Sequence, residues 1–350
     1  MAERNTAVQR HYRKLPKVEL HRHLEGTLRL KTMLEVADQH GITIPADVLR
    51  LSNLVQMQEE ESFTFQNFLS KFDTLRLFYR SPEVIQRITR EAVEDAALDN
   101  VRYMELRFTP VALSRAERFP LHDVIDWVIA SAQAAAREFG TLVNLIVSVN
   151  RHESPELAEQ VAWLAAEHRE SGIVGIDLAG NEAEFQSEPF YGIFREAREA
   201  GLHVTIHAGE WGPAANVREA IEELGAERIG HGVRILEDPV VADLACERGT
   251  PFEVCMTSNY QTGVVAGREA HPLARMLECG LNVTVNTDDP SVSRITLSDE
   301  YDMFCNVLHL PEAALHDCIV GAGQAAFLPD AQRRELVTSL ENQLRSSSDT

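Results

Sequence analysis

His21 and His23 stand two residues apart in the stretch Val18-Glu19-Leu20-His21-Arg22-His23-Leu24-Glu25-Gly26. On a β-strand, alternate side chains share a face, so the two imidazoles project the same way and can hold one divalent cation. A cation held there needs further ligands, a carboxylate to balance its charge and a group that moves protons. Later apolar runs end in such groups. One ends in Asp177-Leu178-Ala179-Gly180-Asn181-Glu182, one in His207-Ala208-Gly209-Glu210, one in Gly230-His231-Gly232 and one in Asn286-Thr287-Asp288-Asp289-Pro290. His21, His23 and His207 as neutral nitrogen ligands, with Asp288 or Asp289 as a further ligand, form a set suited to one zinc ion. Zinc lowers the pKa of a bound water to near 7, which gives a hydroxide nucleophile at neutral pH. Glu210 is spaced to carry protons, and His231 to orient the nucleophile or stabilise developing charge. The second carboxylate of the aspartate pair is left to hold substrate. This machinery suits attack on an electron-poor carbon with loss of an amine or alcohol.

These residues need elements that bring them together. Runs rich in β-branched residues at 18–24, 101–108, 142–149, 173–178, 203–207, 228–231, 251–256 and 282–286 read as strands. Segments of helical period lie between them, at 83–98, 123–138, 155–170, 191–200 and 217–224. Eight strands alternating with helices predict an α/β fold, a closed (β/α)8 TIM barrel. The G-x-G-x-x-G fingerprint is missing after the first strand, which lowers the case for an open doubly wound sheet. In such a barrel the polar clusters at strand ends converge on the C-terminal rim, where barrel active sites are built. A lone histidine near a strand end is more often structural, and Asp-Asp-Pro is more often turn chemistry. Several such groups at the same ends of four strands change that balance.

The longest gap between candidate strands follows the first, with its surplus at about residues 41–80. An insertion there lies on the C-terminal rim, and its Phe63, Phe65 and Phe68 predict an apolar helical lid over an aromatic substrate. Beyond the last strand, 298–309 and 312–346 read as extra C-terminal helices, and 346–350 as a frayed tail. Residues 1–350 are expected to form a single domain.

Composition narrows the partners. The 350 residues are 44% hydrophobic and 25% charged, as in ordinary globular proteins. A net charge of −21 argues against nucleic acid or an anionic membrane as partner. Five cysteines without a C-x-x-C pair fit a reducing compartment rather than a disulfide framework. The N-terminus has charges but no apolar leader segment, and no run of about 18 apolar residues exists, so a cytoplasmic location is expected. Two other metal sites fit less well. The cytidine-deaminase type needs P-C-x-x-C, and a binuclear barrel hydrolase would carry a bridging lysine where strand four ends in Asp177-Leu178-Ala179-Gly180.

Taken together, Pro16–Gly26, Ile176–Glu182, His207–Glu210, Arg228–Gly232 and Asn286–Pro290 closely resemble the adenosine deaminase family. The resemblance runs from about residue 15 to 330. It implies a zinc-dependent barrel that removes the 6-amino group of a small-molecule purine. It also implies that His21, His23, His207 and Asp288 bind zinc and that Glu210 protonates N1 as water adds to C6. His231 would then position the hydroxide, Asp289 would face N7, and the backbone N–H of Gly180 would face N3. Adenosine-specific members typically carry Asp where this chain has Glu25, a position that contacts the ribose 5′ hydroxyl. Glutamate there is more like adenine deaminases and members acting on modified adenosines. Tyr260, Thr262, Gly263 and the Phe-rich insertion are more like the nucleoside branch. The resemblance thus implies adenosine or a 5′-modified adenosine such as aminodeoxyfutalosine, with free adenine as the alternative.

Overall fold

In the computed structural model, residues 11–348 are described. The stretch read as lacking a leader and the end of the tail fall in part outside them. Eight parallel strands follow one another around a barrel in sequence order. They are β1 (Lys17–His23), β2 (Val101–Phe108), β3 (Leu142–Asn150), β4 (Ile173–Ala179), β5 (His203–Ala208), β6 (Arg228–His231), β7 (Pro251–Val254) and β8 (Asn282–Val285). Both faces of each strand are covered, which is why the runs read as near-continuous apolar stretches rather than clean alternations. Closure between β8 and β1 is made mostly past the end of β8. His23 N–H donates to the Asp288 carbonyl at 2.8 Å and Asp288 N–H to the His21 carbonyl at 2.9 Å. Side chains complete the seam: Leu20 N–H donates to Asn286 Oδ1 at 2.8 Å, and Thr287 N–H to Glu19 Oε1 at 2.9 Å.

The predicted helices are present, with ends set by local capping. Ser81 and Ser154 accept from the backbone N–H groups of Val84 and Leu157, each just before a proline at the first helical turn. In Pro82–Leu98 the residues Val84, Ile85, Ile88, Ala92, Val93 and Ala96 are buried, the stripe that a 3.6-residue period puts against the barrel wall. None of the described helices is long and apolar enough to cross a membrane.

The insertion after β1 carries Val48–Val55, Phe65–Leu75 and a 3-10 turn, Arg76–Phe78. Thr64 caps the Phe-rich helix by accepting from Asn67 N–H. The insertion is tied to the rim, since Met57 N–H donates to the Val292 carbonyl at 2.9 Å, and it is braced internally by Lys71 Nζ donating to Glu61 Oε1 at 2.7 Å.

Two expectations are corrected. Strand seven stops at Val254, and Met256–Gln261 is helical. The buried carboxylate of Glu300 accepts from Met256 N–H at 2.9 Å and Thr257 N–H at 3.1 Å, which satisfies the helix start where a strand would have continued. The C-terminal region is also divided further. Leu297–Asp302 runs into a π-helical turn, Met303–Val307, and Glu312–Ala325 is separated from Asp330–Ser348 by a break at 326–329. In that break Phe327 N–H donates to Glu105 Oε1 at 2.6 Å, and the Phe327 ring stacks on His203 at 4.4 Å between centroids. This segment plugs the N-terminal end of the barrel, a long-range role that helical periodicity does not encode.

Candidate active site

His21 and His23 leave β1 on the same side, His207 comes from β5 and Asp288 from the turn after β8. One ligand atom from each lies within 4.8 Å of the others. His21 is fully buried, and its Nε2 has no hydrogen-bond partner. Asp288 Oδ1 stands 3.3 Å from His21 Nε2 and 3.4 Å from His23 Nε2. The Nε2 atoms of His23 and His207 face each other at 3.2 Å. Burial, helped by the neighbouring imidazoles, pushes His23 well below the ordinary histidine range, so its lone pair is available at neutral pH. Burial acts on Asp288 in the opposite sense, but His21, with its Nε2 3.3 Å away, and the other facing imidazoles outweigh it and hold the carboxyl well below the usual range. An orphaned buried nitrogen, two opposed nitrogens and one carboxylate fit a divalent cation with nitrogen and oxygen ligands.

Two of the three imidazoles are oriented from behind. His21 Nδ1 lies 2.9 Å from Glu253 Oε2, and His207 Nδ1 lies 2.9 Å from Asp177 Oδ1. Such contacts select the tautomer that presents Nε2 forward. Gly230 on β6 makes room for the pair, because a Cβ there would lie 3.0 Å from His21 Cε1 and 3.3 Å from the His207 Cα. Asp288 and His231 both adopt positive φ, 64° and 61°, a conformation that ordinary side chains avoid and that turns them inward at the strand ends.

Two acids complete the site. Burial, with Asp288 and Glu182 adding like charge, pushes Glu210 well above the usual carboxylate range. Burial and the charges of Asp288, Glu25 and Glu210 do the same to Asp289. Both are therefore biased toward the protonated form that can donate. His231 Nε2 stands 3.6 Å from Glu210 Oε2, while its Nδ1 meets Asn259 Nδ2 at 3.1 Å. Ser258 Oγ donates to Asp288 Oδ2 at 2.7 Å.

These groups open onto a cavity lined by His23, Glu25, Gly180, Glu210, Asp288 and Asp289, among others. The rim helix adds Phe68, Leu69, Phe72 and Arg76. Of the three aromatic residues expected over the substrate, only Phe68 lines this cavity. Phe63 packs edge-on against Tyr260 at 4.8 Å, and Phe65 stacks at 5.0 Å on Trp211, itself a lining residue. Both therefore sit one layer back: Phe63 precedes the helix and its cap Thr64, and the helix turns Phe65 to a different face from Phe68. Glu25 Oε1 accepts from Thr109 N–H at 2.7 Å while Oε2 is buried without a partner, and burial raises this acid to about 7.

Sequence reasoning did not assign roles to several supports. Glu182 accepts from the backbone N–H groups of Gly209, Glu210 and Trp211 at 3.0, 2.7 and 2.9 Å, and so fixes the loop that carries Glu210. Its place in the strand-four motif was the available signal. Arg107, Asn259 and Glu253 carried none, since each lies in an ordinary strand or helix context.

Fold and site together define an amidohydrolase-type barrel deaminase. The adenosine deaminase family model matches residues 16–343, and the chain belongs to that family. An adenosine deaminase of Vibrio parahaemolyticus is 36% identical over 331 residues, 94% of this chain and 98% of the relative. An adenine deaminase from Arthrobacter aurescens superposes with a TM-score of 0.87 at 29% identity, covering 95% of this chain and 99% of that one. A zinc-bound amidohydrolase from Burkholderia ambifaria superposes with a TM-score of 0.88 at 27% identity, covering 98% and 95%.

Proposed function

We propose that the chain is a zinc aminohydrolase that converts a 6-aminopurine nucleoside, adenosine or a 5′-modified adenosine such as aminodeoxyfutalosine, to the 6-oxo product with release of ammonia. The observation that carries this reading is the meeting, across one cavity, of the cluster His21, His23, His207 and Asp288 with two buried acids, Glu210 and Asp289. Family membership adds the reaction class.

Zinc, held by His21, His23, His207 and Asp288, would supply Lewis acidity that makes water nucleophilic near neutral pH. Glu210 donates its proton to N1, which makes C6 electron-poor, then takes up a proton given up by the added water and passes it to the exocyclic nitrogen, which leaves as ammonia. The remaining proton of that water restores the acid as the 6-oxo group forms. His231, within reach of Glu210 and Asp288, holds the incoming water on the C6 face. Asp289 donates to N7 and fixes the ring plane, with Gly180 N–H at N3. Glu25 addresses the ribose 5′ side. The insertion at 41–80 serves as a lid on what we read as a single catalytic domain. Five unpaired cysteines suit a reducing, cytoplasmic setting.

Free adenine is the second reading, favoured by Glu25 and by the likeness to a protein named an adenine deaminase. The test is an ultraviolet deamination assay on zinc-loaded protein with adenosine, 2′-deoxyadenosine, adenine and aminodeoxyfutalosine, ranked by kcat/KM. Turnover of nucleosides well ahead of adenine supports the proposal. Activity confined to adenine, or to no purine, overturns it.

A further inference from the structure

We propose that the mouth of this cavity recognises an anionic group carried on the 5′ side of the nucleoside, with Arg76 as its main contact and Arg115 and His152 beside it. The inference rests on the nucleoside reading above and names a substrate class within it.

The interior of the cavity is acidic, with Glu25, Glu210, Asp288 and Asp289 all lining it. Arg76 is the one lysine or arginine among the lining residues. It stands in the 3-10 turn that follows the Phe-rich helix, with its side chain 36% exposed. Among the described residues its ion pairing is limited to Asp73, one turn back and 80% exposed, at 3.8 Å. That distance is too long for a hydrogen bond, and such an exposed pair holds a guanidinium weakly. Arg76 does not serve Glu25 either, since Glu25 Oε2 has no hydrogen-bond partner. Arg76 nevertheless lines the same cavity as Glu25, the group that marks the 5′ side on this reading.

Two more basic groups lie next to lining residues, in space or in sequence, without lining the cavity themselves. Arg115 follows the short helix Pro110–Ser114, three residues beyond the lining Ala112. It is exposed and forms no ion pair among the described residues. His152 lies beside Gly180, its Nδ1 3.7 Å from where a Cβ at Gly180 would be. Burial lowers His152, Glu153 opposes this, and the charges of Arg76 and Arg115 lower it further, so all three basic groups share one electrostatic neighbourhood. Arg80, four residues on, is by contrast matched to Glu117 at 2.9 Å. A weakly paired guanidinium at the mouth of an otherwise acidic cavity suits the planar, multi-acceptor geometry of a carboxylate or phosphate.

The test compares adenosine, adenosine 5′-monophosphate and adenosine 5′-carboxylate on zinc-loaded protein, at low and high ionic strength, in wild type, Arg76→Gln and Arg76→Lys. The expected result is a kcat/KM for at least one anionic nucleoside tenfold or more above adenosine. That ratio should shrink with salt, fall by about tenfold in Arg76→Gln and be largely kept in Arg76→Lys. Whether phosphate or carboxylate leads tells the two anion sources apart. Adenosine outrunning both anionic nucleosides, or Arg76→Gln lowering all three alike, overturns the inference while leaving the nucleoside reading intact. Absence of turnover on all three overturns that reading and this inference with it.

Discussion

Arg107 and Glu253 meet inside the barrel at 2.7 Å, both side chains without exposed surface. Glu253 Oε2, the atom that accepts from Arg107, also faces His21 Nδ1, and Arg107 reaches Asp177, which faces His207, at 3.4 Å. One guanidinium thus lies behind the two carboxylates that orient two imidazoles of the cluster. Burial disfavours the charge on Glu253, but Arg107 and Arg228 outweigh it and hold the acid well below the usual range.

Glu253→Gln should therefore weaken zinc binding by roughly 10- to 100-fold, the usual cost of losing a group that orients a ligand histidine. Competition with a chromophoric chelator measures this without reference to turnover. Asp177→Asn tests the same logic through His207 should the first variant fold poorly. Zinc held as tightly as in wild type by a folded variant would show that the network supports the barrel and not the cluster.

Glu210→Gln should keep its zinc and lose activity by about 10²- to 10⁴-fold, the range for removing a proton-transfer group. The loop that carries it is held by Glu182 through three backbone N–H groups, so the substitution leaves the loop anchored. Metal analysis and the ultraviolet assay on one preparation decide the matter, and near-normal turnover would remove Glu210 from the proton path.

Which parts of this site could be read from sequence follows from range. His21 and His23 are two residues apart on a strand, so local periodicity alone puts them on one face. His207, Glu210, His231 and Asp288 were legible once each was seen to end a strand in a barrel. Arg107 was not legible, because its partners Asp177 and Glu253 lie 70 and 146 positions away and only closure brings them together. The same applies to Phe327, which plugs the base of the barrel from a segment that reads as helix. Phe63 and Phe65 show the converse limit. Their composition pointed to the lid, but the facing of each ring depended on where the helix began.

Glu300 offers a test of burial against pH. Burial raises it to about 7, against an ordinary value of 4.5, although Thr257 and Met256 N–H groups partly offset this. The folded chain therefore holds this proton more tightly than the unfolded chain does. The resulting stabilisation is complete below about 4.5 and is lost as pH rises through about 7. A shift of that size corresponds to about 3 kcal/mol. Glu300→Gln cannot ionise, so the stability of wild type relative to the variant should fall by that order between pH 4.5 and 7.5. Denaturant midpoints across this range measure it, and a difference that stays constant with pH would show that Glu300 ionises in the folded chain at no cost.

Gly26 and Asp289 supply the most local test of the purine reading. Gly26 closes the 3-10 turn after β1, and a Cβ on it would lie 1.9 Å from Asp289 Oδ1 and 2.5 Å from Asp289 Cβ and Cγ. Asp289 is short, buried and followed by Pro290, so its side chain cannot swing clear and must be displaced. Its neighbour Asp288 is held independently by Ser258 Oγ and by backbone hydrogen bonds to β1. Gly26→Ala should therefore keep zinc while kcat/KM falls by about 10²-fold, the order expected for a misplacement of about 1 Å. Stability should drop by about 1–3 kcal/mol from overpacking. Two further variants separate donation from packing. Asp289→Asn keeps an N–H donor for a ring nitrogen and should retain more activity than Asp289→Ala, which keeps none. Equal activities in the two, measured on zinc-matched protein, would mean that Asp289 holds no purine nitrogen.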